Sequence, residues 1–254
     1  LGLLVRHNMK SRRPPGLRPL SKGMVVMRLF KVSLVLVCLA LVAVPTFAAT
    51  LNEIRIDQGG SDYDEYFELA GNPGESLDGL TYVVIGDGTT GSGTIECVVP
   101  LDGLSIGADG FFLYVESSYT TTCGDTPDYM DAGTPLNFEN SDNVTHMLVS
   151  GFTGANADDL DIDDDWTLDV TPWSAIVDWV SLVESVGTGD AYYSPNLVGP
   201  DGIYVPGLSL VCDGTWVFGD FGLCVNDSPG MDNATACAVP SVETNFGSVK
   251  SLFR

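Results

Sequence analysis

The sequence predicts an all-β fold, a sandwich of two sheets joined by long acidic loops. Three observations carry this reading. Strand-like runs recur at a spacing of roughly 10 to 15 residues, with turn residues between them. Several runs alternate apolar and polar side chains, the period of a half-buried strand. No segment in the body of the chain sustains a helical period over about 12 residues.

The runs are 51–57, 66–70, 80–86, 94–101, 110–116, 144–151, 175–183, 208–212 and 216–221. In the first, Ile54 and Ile56 point to one face and Arg55 and Asp57 to the other. It is expected to lie beside or pair with 66–70. The third holds Tyr82, Val83, Val84 and Ile85 without a break, which suits a strand buried on both faces. Clusters of Gly, Asp, Pro and Ser separate the runs, and the segments 120–143 and 154–172 read as long loops. After Pro229 the composition shifts, so the domain is placed at 49–233 and a linker with a short tail at 234–254. In the tail, Phe246, Val249, Leu252 and Phe253 have roughly helical spacing. Lys250 and Arg254 sit where cations suit a helix C-terminus.

The N-terminal part reads as targeting sequence. Eight of the 11 lysines and arginines precede residue 49, and no acidic residue precedes Glu53. Arg28 and Lys31 lead into an apolar run, 32–44, and then a small-residue exit with Thr46 and Ala48. These are the parts of a cleavable secretory signal at 24–48, cut after Ala48. The apolar core is shorter than the roughly 20 residues a spanning helix needs. Residues 1–23 read as a non-native or untranslated leader. The expected location is therefore secreted or cell-surface, with no membrane span after cleavage.

Beyond the signal, three basic residues (Arg55, Lys250, Arg254) stand against 34 acidic ones, a formal −31. Such a chain repels nucleic-acid phosphates and anionic membranes and attracts divalent cations. Five cysteines remain: Cys97, Cys123, Cys212, Cys224 and Cys237. There is no C-x-x-C pair, and an oxidising compartment favours disulfides over zinc. The expected pairs are Cys97–Cys123 and Cys212–Cys224, leaving Cys237 odd.

Two stretches carry a family resemblance. The first is Leu51, Asn52, Glu53, Ile54, followed by Asp64, Glu65, Tyr66, Phe67, Glu68, Leu69 and the Leu77, Asp78, Gly79, Leu80 turn. The second is Leu136 to Asn143 with the closing Asp227, Ser228, Pro229, Gly230, Met231, Asp232, Asn233. Together they resemble the bacterial secreted lamin-tail domain over about residues 51–233. The resemblance implies an immunoglobulin-like β-sandwich, usually an accessory or binding module and sometimes attached to secreted nucleases. Read from the residues alone, Glu53, Glu65 and Glu68 are solvent-facing or cross-strand partners. Arg55 is expected to bridge an acid on a neighbouring strand, a pair worth about 0–1 kcal/mol if exposed.

The richest candidate for chemistry is the loop at 159–169. Asp161, Asp163, Asp165 and Asp169 stand as D-x-D-x-D-x-x-x-D, a supply of hard oxygen ligands for Ca²⁺, and the Thr167 carbonyl could add one more. Trp166 stands where such loops normally have Gly for a positive φ. Calcium is the expected cofactor. His146 is the only histidine after the signal, too few for a two-histidine zinc set, and no G-x-S-x-G elbow or P-loop accompanies it. Trp166, Trp173, Trp179, Tyr192, Tyr193, Tyr204 and Trp216 could line a sugar-binding face, though strands are rich in such residues anyway.

The expectation is a secreted, non-catalytic binding or structural module of the lamin-tail type, stabilised by calcium, whose partner is an extracellular protein or glycan. The alternatives are a metal-dependent secreted hydrolase of the nuclease-associated kind and a carbohydrate-binding or adhesin module.

Overall fold

The computed structural model describes residues 47–56, 64–88, 91–120, 125–132, 136, 138, 142–187, 191–200, 207–219 and 227–237. They belong to one compact unit, Phe47–Arg254. The strands are β1 (Thr50–Arg55), β2 (Tyr66–Ala70), β3 (Leu80–Gly88), β4 (Gly91–Pro100), β5 (Phe111–Val115), β6 (Tyr129–Met130), β7 (Val144–Ser150), β8 (Ala175–Leu182), β9 (Leu197–Val198), β10 (Leu208–Cys212) and β11 (Thr215–Phe218). A single helical turn, α1 (Ala234–Cys237), follows.

The strands form two mixed sheets, ordered β11-β10-β1-β2-β5-β6 and β4-β3-β7-β8-β9. Most neighbours are antiparallel; β5–β6 and β8–β9 are parallel. This is consistent with the expected sandwich. As expected, β1 pairs with β2, with Ile54 opposite Phe67.

Alternation decides which residues fill the space between the sheets. Leu51, Ile54, Phe67, Leu69, Phe112 and Tyr114 come from the first sheet. Tyr82, Val84, Val144, Leu148, Val180 and Leu182 come from the second. Phe67 is the hinge of this core, stacked on Tyr82 at 3.8 Å and on Tyr114 at 4.9 Å. Such aromatic pairs contribute about 0.5–1.5 kcal/mol beyond their area.

The unbroken apolar run in β3 has a matching cause. Its other face carries Val83 and Ile85 into a second cluster with Ile95, Met147, Val149 and Leu160. Leu160 and the partly buried Leu168 come from the long loop 154–172, so that loop roofs the outer face of the second sheet. The outer faces of β1 and β2 are covered as well. Glu53, Arg55, Tyr66 and Glu68 are all at most 2% exposed. Of the two expected placements of the glutamates, solvent-facing or cross-strand, Glu53 and Glu68 take the second, opposite each other in the register.

The disulfide framework also departs from expectation. Cys212 is bonded to Cys237, not to Cys224, with the Cα atoms 5.6 Å apart. The bond ties β10 to α1, so residues 234–237, expected as linker, are fixed to the sheet. Cys97 is a buried free thiol in the main core, not bonded to Cys123; Cys123 and Cys224 lie outside the described residues. Burial pushes the Cys97 thiol up to about 12, so it behaves as a small hydrophobe. Among the described residues no helix is long and apolar enough to cross a membrane. The leader, residues 24–46 of the expected signal and residues 238–254 lie outside the described residues.

Candidate functional site

Two constellations gather most of the distinctive side chains. The first is the loop at 159–169. Carboxylate oxygens of Asp161, Asp163 and Asp169 lie within 4.8 Å of one another. Asp165 contributes none to this group; its backbone N–H instead donates to Asp161 Oδ1 at 3.1 Å.

Asp161 organises the turn. It is buried, and its Oδ2 accepts from Trp166 N at 3.0 Å and from Tyr193 Oη at 2.7 Å. Asp159 Oδ1 accepts from Asp161 N, and Asp169 Oδ2 accepts from Ile162 N. The chain reverses through positive φ at Asp164 (53°) and Trp166 (71°). Trp166 thus adopts the backbone shape for which the sequence offers no glycine. Its ring lies 5.9 Å from that of Tyr192. The loop is seated on the start of β4: Asp164 Oδ1 accepts from Ser92 N at 2.8 Å. A side chain at Gly93 would place its Cβ 2.5 Å from that of Asp161. Repulsion from Asp165, aided by Asp169 and Asp161, raises the Asp163 carboxyl above its ordinary value. The donor set is all hard oxygen, the kind a divalent cation takes, although exposed acids also cluster without one.

The second constellation is buried, and it joins the residues of the two resemblance motifs. The closing segment, residues 227–233, lies over the outer face of β1 and β2. Arg55 Nη1 is 2.9 Å from Asp227 Oδ2, both side chains 3% exposed. Ser228 donates from N (3.0 Å) and faces with Oγ (2.7 Å) the carboxyl of Glu53. Tyr66 Oη donates to Glu53 Oε1 at 2.5 Å. Gly230 N and Asn52 Nδ2 donate to Glu68. Asn233 Nδ2 faces Asn52 O and Val211 O. Burial raises the Glu53 carboxyl and, helped by the Glu53 charge, raises Glu68 further.

Glu65 is buried apart from this group and accepts from Phe138 N. His146 is fully buried, with Nδ1 2.5 Å from Tyr82 Oη, and desolvation holds it down to about 3. It is a neutral core residue, in line with the structural role expected of a lone histidine.

An all-β protein with a disulfide-anchored closing segment is the class these features define. No protein-family model matches the chain, and no curated protein or solved structure matches it either.

Proposed function

We propose that the chain is a secreted, non-catalytic binding or structural module of the lamin-tail type, built on an immunoglobulin-like sandwich and stabilised by calcium. One observation carries the reading. The two motifs quoted for the resemblance meet in space, the N-E-I and Y-F-E-L strands gripping the D-S-P-G-x-x-N segment through Arg55–Asp227, Glu53–Ser228 and Glu68–Gly230. The buried acids of these motifs are spent on closing the fold. Oxygens of Asp161, Asp163 and Asp169 would hold the calcium ion, which would neutralise repulsion in the loop and brace the roof over the second sheet.

Thermal unfolding of the exported chain with calcium and with a chelator tests the reading, alongside the N-terminal mass of the product. A rise in Tm with calcium and a start at Ala49 are expected. An unchanged Tm at millimolar calcium removes the ion from the proposal, and an uncut product removes the export.

A second reading, a carbohydrate-binding module, is favoured by one groove. It has a volume of about 560 Å³ and is lined by Thr50, Asp178, Asn196, Thr215 and Trp216 among others. An indole beside hydroxyl, amide and carboxylate groups suits a neutral sugar ring. Quenching of tryptophan fluorescence by oligosaccharides, lost in Trp216→Ala, would favour it.

A further inference from the structure

We propose that the closing segment is a proton-dependent latch, seated on β1 and β2 while Glu53 holds a proton that it donates to Ser228. This goes beyond the module reading and does not depend on calcium.

The proton is counted from hydrogen-bond directions. Asn233 Nδ2 faces three oxygens: Asn52 O at 3.2 Å, Asn52 Oδ1 at 3.3 Å and Val211 O at 3.1 Å. The backbone carbonyls only accept, so Nδ2 is fixed as the donor and Asn233 Oδ1 is left as an acceptor. Ser228 Oγ lies 2.9 Å from that Oδ1 and 2.7 Å from Glu53 Oε2. A hydroxyl has one proton, so it cannot donate fully to both. The two contacts are both hydrogen bonds when Glu53 Oε2 carries a proton and donates to Ser228 Oγ, which passes its own to Asn233. Glu53 Oε1 is the accepting end, taking Tyr66 Oη and Ser228 N.

The surroundings agree. The groups facing Glu53 are Tyr66 and Glu68 from β2 and Ser228 and Asp227 from the closing segment. On its own strand is Arg55, engaged with Asp227. Opposite Glu53, β10 presents Leu210, which has no charge. Three buried carboxyls therefore share one guanidinium, and a neutral Glu53 lowers the repulsion. Burial raises both Glu53 and Glu68, and the bond directions separate them. Each Glu68 oxygen accepts one bond, from Asn52 Nδ2 and Gly230 N, and burial raises Glu68 further than Glu53. The proton is therefore placed on Glu53 by the Ser228 and Asn233 contacts alone.

The latch is seated in acid and lifts as pH rises. Loss of the Glu53 proton leaves two acceptors competing for one hydroxyl proton and adds a buried negative charge. The Cys212–Cys237 bond fixes the far end of the segment, so lifting is local and reversible.

Hydrogen exchange of the Ser228 and Gly230 amides in the full chain, corrected for intrinsic rates, tests this between pH 5 and 9. Protection should fall by up to about tenfold per pH unit between the ordinary carboxyl value of 4.5 and the Glu53 midpoint, and level off above that midpoint. Glu53→Gln, whose amide donates to Ser228 at every pH, should flatten the profile, while Glu68→Gln keeps its slope. A flat wild-type profile, or a Glu53→Gln profile as steep as wild type, overturns the latch. A carboxyl-carbon titration of Glu53 in the wild-type chain needs no variant. A midpoint above the ordinary 4.5 is expected, and a midpoint at or below it overturns the proposal.

Discussion

Arg55 Nη1 and Asp227 Oδ2 meet at 2.9 Å across 172 residues of sequence, and both side chains are buried. The pair joins the first strand to the closing segment. Arg55 is the only lysine or arginine among the described residues. Burial moves it out of the weak regime expected for an exposed pair.

Removing one partner should therefore cost far more than removing both. Asp227→Ala leaves a buried guanidinium without its carboxylate and should destabilise by about 3 kcal/mol or more. The double replacement Arg55→Met, Asp227→Leu should lose much less. Urea unfolding of the three chains checks this; equal losses for single and double variants would show that the pair is not coupled.

His146 gives the fold an acid-side weakness. It binds a proton at about 3 when folded, against an ordinary 6.5. Between those values the unfolded chain holds more protons, so stability falls as pH drops from 6.5 toward 3, by up to about 1.4 kcal/mol per pH unit. His146→Phe should be less stable at neutral pH, because Tyr82 Oη loses its partner. It should regain ground on wild type as the pH falls below 6. Denaturation at pH 4, 5, 6 and 7 reads the difference, and parallel curves would contradict it.

The cysteines should separate cleanly by chemistry. Non-reducing peptide mapping should link Cys212 to Cys237. Replacing both by serine should cost about 3 kcal/mol, from closure of a loop spanning 25 residues. Cys97 should resist alkylation at pH 8 in the native chain and react on unfolding, since its buried thiol is raised to about 12. A native chain that labels at Cys97 would be inconsistent with its position in the core.

The aspartate loop makes a paired prediction. Asp163→Ala should abolish the calcium-induced rise in Tm. Trp166→Gly should enlarge that rise, because glycine adopts the observed positive φ of 71° without the cost to a bulky side chain. Calorimetry of both variants tests this. No saturable calcium binding in any form would leave the loop as a solvated acidic surface.

Local pattern determined a good deal. Alternation at Ile54 and Ile56, and the unbroken run through Tyr82 to Ile85, placed nine strands close to their observed limits, because side-chain period follows backbone geometry wherever the chain runs. The two-residue strands β6 and β9 were too short to leave a period. The spacing of Asp161, Asp163 and Asp169 was legible for the same local reason: all three lie in one turn. Tertiary structure decided what long-range contact alone can decide. Cys237 displaced Cys224 as the partner of Cys212 because α1 brings it beside β10. Asp165 stands outside the group of three carboxylates, although its charge still acts on Asp163, because the folded turn sets which carboxylate oxygens converge. Glu53 and Glu68, polar alternates that a sequence reading leaves either solvent-facing or as cross-strand partners, are cross-strand partners and buried acids, because a segment some 160 to 175 residues later folds over them. A strand's period says which face a side chain takes; what covers that face depends on where the rest of the chain packs.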